Sequence, residues 1–407
     1  MSTATLSSPV QATAYVLAEP MLDRFRERAP IYDRENRFFT EDFDELVAAN
    51  YLKITVPTDM GGPGRNLLEY SREVARLASY APPTALATNM HMMWTGTAAA
   101  LHATGDHSLD WILRETVAGE VIGNGHGERG NDLNGFVSTV DATKVADGYS
   151  YTGHKIFGSM SPVWTRLAVW GMDTKTPGGP YMVHGFIPRD APGYRIVETR
   201  DTLGMRATRS DDTILEGAVA PQKYVARVYG PGQSDAMMTA AFTWVEVGFG
   251  SVYAGIAGRA IELAVATARS KTSLGLTRSM AYHPEIQHEL AEMYVAQQAS
   301  VALLERTASD WVDGVDYAEM TFAKLFAAKH FAVEASQRIV DLAMRTSGGT
   351  GMFKSNELER LFRDVRCGGF HPANSAFAHE MIGKTVLGID PGEQPRWGQR
   401  IPQTHRR

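Results

Sequence analysis

The chain contains a single cysteine, Cys367, which excludes an internal disulfide framework and any cysteine-rich zinc site. It has no large excess of either charge: 40 Lys and Arg stand against 46 Asp and Glu, a formal net charge of −6 over 407 residues. Such a mildly acidic chain has no general electrostatic reason to bind nucleic acid or an anionic membrane. The basic cluster Arg396, Arg400, His405, Arg406 and Arg407 reads as a solvated end. Long uninterrupted apolar runs are missing as well. The most apolar stretch, 240–268, is broken by Glu246, Arg259 and Glu262, which suits a buried helix better than a membrane span. The opening stretch has no basic start followed by an apolar core, so no secretory signal is read and a cytoplasmic protein is expected. With 44% hydrophobic residues the chain has enough apolar surface to offset the entropy of ordering, which excludes a mainly disordered protein.

The patterning then falls into three blocks. Residues 1–121 read as an all-α domain, with helices opening at Asp42–Val47, running through Asn66–Tyr80 and stopped there by Pro82-Pro83, then covering 84–102 and 108–118 with Ser108 as N-cap. Residues 122–233 switch pattern: 136–145 alternates at period 2, a hairpin turn at Asp147-Gly148 leads into 149–157, and further strands at 166–172, 181–187, 194–199 and 213–218 are separated by Gly, Pro and Asp, which predicts a small antiparallel β domain. Residues 234–407 return to long helical periods at about 235–270, 284–313, 316–345, 354–366 and 374–387, the pattern of a bundle. The fold class is α+β.

Four local segments carry a resemblance. The glycine-rich run 123–132 (GNGHGERGND) enters the β domain, and 153–159 (GHKIFGS) ends one of its strands. The run 203–221 opens with Leu203-Gly-Met-Arg, and Ser347-Gly-Gly-Thr-Gly351 precedes Arg363-Asp364. In this order along a helix–sheet–bundle chain they resemble the acyl-CoA dehydrogenase superfamily, over nearly the whole sequence. The resemblance implies a bound flavin, FAD or alternatively FMN. It implies cofactor contacts at Asn124, Gly125, His126, Phe157, Gly158, Ser159, Ser347, Gly348, Gly349 and Asn374, and a homotetramer. The chemistry agrees: a flavin ring takes a flat apolar wall such as Phe157, a hydroxyl donor such as Ser159, and glycines that let the backbone approach. Each segment also has a plainer reading, the glycine-rich run as a turn between domains and Asn374 as the cap of the last helix.

Departures from the family pattern point to function. Where much of the family carries its Glu base in a Tyr-Glu-Gly-Thr run after Arg-Asp, this chain has His371, Pro372, Ala373 and Asn374. Proline takes no proton. Other members place the base on the first long bundle helix. The corresponding position falls near Gly248, and Glu246, two residues away, is expected to face elsewhere or to pair with a buried cation. The family's Arg-x-x-Phe-Gly is replaced by 269–278, where Arg269 or Arg278 is left to hold the flavin's far end. A histidine at 371 is similar to the flavin monooxygenase branch, whose members accept reduced flavin from a separate reductase and hydroxylate carbon, nitrogen or sulfur with O2. On that reading His371 is the acid/base, with Ser159 and His91 as further catalytic candidates, His91 in the apolar run Met90–Trp94. His371 as a turn residue and His91 as a satisfied core histidine are the plain alternatives. No metal is expected. The substrate expected is a small amine, aromatic or heteroatom compound. The first alternative is an acyl-CoA or acyl-carrier-protein dehydrogenase with FAD, an atypically placed base and an electron-transfer flavoprotein as partner. The second is a catalytically degenerate flavin or acyl binder.

Overall fold

The computed structural model describes residues 15–131, 136–390 and 393; the basic tail, Asp132 and the first fourteen residues lie outside them. The N-terminal helices are α1 Glu19–Glu35, α2 Thr40–Ala48, α3 Leu67–Ala78, α4 Pro82–Ala103 and α5 Asp110–Val117. Asn66 and Glu69 close a capping box on α3. Pro82 and Pro83 open α4 rather than merely ending α3, because the first turn of a helix has no use for their missing N–H groups. Ser108 is not the cap of α5: Asp106 accepts its N–H and caps a short 3₁₀ turn first. Helix α1 is not among the expected elements. Only Leu22, Phe25, Ala29 and Tyr32 face the core, on an otherwise charged helix.

The middle sheet comprises β1 Ile122–Asn124, β2 Asp141–Val145, β3 Gly148–Gly158, β4 Arg166–Asp173, β5 Tyr181–Pro188, β6 Tyr194–Val197, β7 Asp211–Ala220 and β8 Val225–Tyr229. Its order is β6-β7-β3-β2-β4-β5-β8, with β1 beside β4. The sheet is mixed, not purely antiparallel, since β1 and β2 both pair β4 in parallel. The hairpin loop is Ala146-Asp147, and Gly148 already pairs with Val145. Strand β2 begins later than the alternation predicts because Ser138 and Thr139 curl around the Glu128 carboxylate instead of joining a ladder.

The C-terminal helices are α6 Ala236–Ser270, α7 Pro284–Val312, α8 Thr321–Ser347, α9 Glu357–Arg366 and α10 Ser375–Leu387. Helix α6 is the central post, packing against α3, α4, α7 and α8. It is long and apolar enough to cross a membrane, yet 67% of its most apolar window is buried inside the molecule, as in a core helix. Gly248 lets α6 lie against α4: a Cβ there would sit 1.9 Å from the Asn89 side-chain oxygen. The Leu203-Gly-Met-Arg turn and the Arg363-Asp364 pair form one joint. The Asp364 carboxylate accepts the Met205 N–H at 2.6 Å, and a Cβ on Gly204 would meet the Arg363 carbonyl at 2.4 Å.

Candidate active site

A cavity of about 480 Å³ opens where the sheet meets α4, α6 and the segment between α9 and α10. Its bundle wall follows from helical spacing: Met238, Phe242, Glu246 and Phe249 recur on one face of α6, and Leu86, Met90, Met93 and Trp94 do so on α4. The sheet wall carries Asn124 at the end of β1, then His126 and Glu128 in the following loop, Phe157 and Ser159 at the end of β3, and Trp170 on β4. Phe370 to Asn374 and Phe377 close the third side.

On the sheet wall, His126 stacks on Trp170 with ring centroids 3.7 Å apart, and its Nε2 lies 3.0 Å from Nε2 of His184. Burial drives His126 well below the usual imidazole range, with the neighbouring His184 and Lys155 adding to it, so the ring is neutral. The Ser159 hydroxyl belongs to a chain with Ser210 and Thr208, each step 2.8 Å. Phe157 sits at φ 58 and is 59% exposed, its ring displayed at the cavity rather than packed in the core. Beneath them the buried Lys155 ammonium pairs with Glu128. Glu128 also accepts from the Thr139 N–H at 2.6 Å, the Thr139 hydroxyl at 2.8 Å, Asn131 at 3.0 Å and Ser138. Burial raises the Glu128 carboxyl, but Lys155 and these donors outweigh it and hold it below the ordinary range.

The bundle wall is less complete. The Glu246 side chain is wholly buried in the wall; Oε1 accepts the Ala373 N–H at 2.9 Å and Oε2 has no partner among the described residues. Lys329 on α8 gives its ammonium to the carbonyls of Ala373 (2.7 Å) and His371 (3.3 Å), so it reaches Glu246 only through space. Burial pushes Glu246 up to about 7, with Lys329 and the Ala373 N–H pulling the other way. His371 stacks on Phe249, with ring centroids 4.6 Å apart, and its Nε2 lies 2.6 Å from the Tyr253 hydroxyl. Burial keeps that phenol neutral. Were Nε2 the donor, the buried phenol proton would be left unpaired, so the phenol donates and the imidazole proton resides on Nδ1. Burial, with the charges of Lys329 and Arg200, lowers His371 to about 3, so the ring is neutral near pH 7.

Several expected residues fall elsewhere. His91 is off the cavity: Nε2 lies 2.9 Å from the Leu52 carbonyl and Nδ1 accepts the Ile122 N–H at 3.0 Å, which leaves no nitrogen for chemistry. Gly125 and Gly158 pack against Leu167 and the Asp211 carbonyl and act as spacers. Ser347 ends α8 and Gly348 and Gly349 follow it in a 3₁₀ turn, and Lys271 donates to the Ser347 carbonyl at 3.1 Å. They and the 269–278 segment therefore meet at one edge of the bundle, away from this cavity. Asn374 lines the cavity and also caps α10, accepting the Phe377 N–H at 3.0 Å. Glu246, expected to face elsewhere, is in the cavity wall; Gly248, two residues on, faces Asn89. Glu128, Lys155, Tyr253 and Lys329 were not singled out from sequence. A lysine on the apolar face of α8, among Phe326, Ala328, Ala332 and Val333, was the one available signal.

A flavin, the group the fold implies, fits these residues. Among the described residues, five that line the cavity carry a buried polar atom without a partner: Trp94 Nε1, Asn124 Oδ1, Trp170 Nε1, Arg200 Nε and Glu246 Oε2. Donors and acceptors left unpaired in an otherwise apolar wall suit a planar heterocycle with N–H and C=O edges.

Comparisons with known proteins agree with the geometry. Residues 247–376 match the family described as acyl-CoA dehydrogenase, C-terminal domain. YdbM of Bacillus subtilis (strain 168), provisionally named an acyl-CoA dehydrogenase, is 28% identical over 89% of this chain and 93% of its own. The amino sugar nitrososynthase DnmZ of Streptomyces peucetius is 28% identical over 88% of each chain. Isobutylamine N-hydroxylase of Streptomyces viridifaciens is 26% identical over 87% of this chain and 88% of its own. The structure of KijD3 with FMN and a dTDP-amino-keto sugar superposes with a TM-score of 0.78 at 25% identity, covering 91% of this chain and 92% of that one. The chain is thus similar to the acyl-CoA dehydrogenase family over its C-terminal part, and along most of its length to relatives named as dehydrogenases, a nitrososynthase and an N-hydroxylase.

Proposed function

We propose that the chain is a flavin-dependent monooxygenase that hydroxylates a small amine, taking its flavin already reduced by a separate reductase. The observation that carries this reading is Glu246: a carboxylate buried in an apolar cavity wall, with one oxygen bonded and the other unpaired. An ammonium group would supply the missing partner and draw the carboxyl back to its charged form. The amine-oxidising relatives support the same substrate class.

Asn124, Phe157, Ser159 and Trp170 would hold the flavin ring, which when bound in reduced form supplies the two-electron activation of O2. Trp94, Phe242, Phe249 and the α4 methionines exclude water beside it. Glu246 orients the amine through Oε2, and its proton equilibrium near neutrality lets it accept a proton from the ammonium before nitrogen reacts. His371, its proton fixed on Nδ1 by Tyr253, offers a neutral donor at the third wall.

A second reading keeps Glu246 but changes its role. A buried carboxyl raised towards neutrality also suits removal of the proton alpha to a thioester, as in a dehydrogenase. Anaerobic titration with oxidised and then reduced flavin separates the two. Markedly tighter binding of reduced flavin, in protein that purifies nearly colourless, is expected. Protein that purifies yellow, with stoichiometric FAD that an acyl-CoA bleaches, would establish the dehydrogenase instead.

A further inference from the structure

Outside the cavity lining, the corner between α4 and α5 gathers a second set of chemistry-bearing side chains. His102 lies in the last turn of α4, His107 opens the 3₁₀ turn and Asp110 begins α5. The corner itself is firmly built. The N–H groups of Thr104, Gly105 and Asp106 return to the carbonyls of Leu101 and His102, and Gly105 takes φ 85. Arg227 from β8 ties the corner down through Asp106 at 2.8 Å.

Both histidines turn Nδ1 toward the Asp110 carboxylate. His102 Nδ1 is 2.9 Å from Oδ1, His107 Nδ1 is 3.0 Å from Oδ2, and the two nitrogens are 3.2 Å from each other. Two nitrogens bound tetrahedrally to one zinc ion stand about 3.3 Å apart. The other ring nitrogen of His102 lies 3.3 Å from the Asp59 carboxylate, the outer carboxylate that commonly orients a metal-bound histidine. Held by protons alone, both Nδ1 atoms must carry hydrogen toward one carboxylate, setting two N–H groups side by side. A divalent ion replaces both hydrogens, takes both lone pairs, and balances the two carboxylates. The His107 side chain is 62% exposed, so ion and water have access, while the Asp110 side chain is only 11% exposed and fixed.

We propose that His102, His107 and Asp110 form a binding site for a divalent transition ion, zinc by donor set, with Asp59 orienting His102 from outside the coordination sphere. The position of the site gives the ion a structural role, clamping the end of α4, the helix that delivers Met90, Met93 and Trp94 to the cavity.

The test uses the full-length chain without a histidine tag, stripped with chelator and titrated with Co²⁺ and then Zn²⁺. One equivalent of Co²⁺, seen by its visible absorption and displaced by Zn²⁺, is expected. His107→Ala, at an exposed side chain, should weaken binding at least about tenfold, and Asp59→Asn, which removes no ligand, about 10–100-fold. Absence of saturable binding in the wild type, or binding unchanged in His107→Ala, would overturn the proposal and leave a proton-held network only.

Discussion

Two glutamates lie in the walls of the same cavity, each near a buried lysine, and their surroundings drive them in opposite directions. Glu128 takes the Lys155 ammonium directly, together with two hydroxyls, an amide and a backbone N–H. Glu246 has one backbone N–H, because Lys329 is committed to the carbonyls of the turn that bears His371. The first carboxylate is held below its ordinary range, the second well above it. Burial is common to both. What differs is the number of donors, and that separates a carboxylate that holds the fold from one left free to react.

Removing one partner from the satisfied pair should give the largest effect. Lys155→Met strands the buried Glu128 charge, and chemical denaturation should show a loss of about 3–5 kcal/mol. Glu246→Gln, by contrast, should cost much less, because Lys329 keeps both of its carbonyl acceptors. Equal losses in the two variants would dissolve the distinction.

Glu246→Gln should instead lower kcat/KM for a cationic amine by about 10–100-fold, the worth of a hydrogen bond to a charged group, with flavin affinity unchanged. The pH dependence of stability sharpens the contrast further. A carboxyl raised in the folded state contributes stability in full below its unfolded value, and that contribution is lost as pH rises through the folded value. Glu246 should therefore make the wild type lose stability as pH rises from roughly 4.5 to 7, and Glu246→Gln should flatten that slope. Glu128 acts with the opposite sign, its contribution being lost as pH falls.

Lys329→Met tests the through-space link. Lys329 pulls the Glu246 carboxyl down, so its removal should shift the Glu246-dependent limb of the pH–rate profile to higher pH. The smallest effect is expected at Asn374→Ala, where loss of the α10 cap should lower stability by about 1 kcal/mol, measurable by denaturant midpoint.

The three-part architecture was legible because long helices and short apolar strands bounded by Gly, Pro and Asp leave strong local signals, as in 236–270 and 166–173. Helix α1 was not, since four buried residues on a charged helix make a faint stripe. The parallel placement of β1 and β2 beside β4 depends on pairing across many residues, which local patterning does not encode. In the site, Phe157, Ser159, His126, Asn124 and His371 stand out in short motifs and do line one cavity. Counting turns from an assumed position misplaces Glu246, because a two-residue offset on a helix turns a side chain to another face. His91 shows the opposite failure: an apolar run hides two backbone groups, Leu52 C=O and Ile122 N–H, that only the tertiary structure brings to its ring.

The most direct test of the central claim supplies reduced flavin and ¹⁸O₂ to the wild type and Glu246→Gln with a panel of small amines, and follows the products by mass. The predicted result is one ¹⁸O atom on nitrogen in the wild-type product, formed about 10–100-fold less efficiently by Glu246→Gln although flavin still binds. Unlabelled amines throughout, with oxidised flavin bleached anaerobically by an acyl thioester in the wild type alone, would contradict the account and make Glu246 a dehydrogenase base.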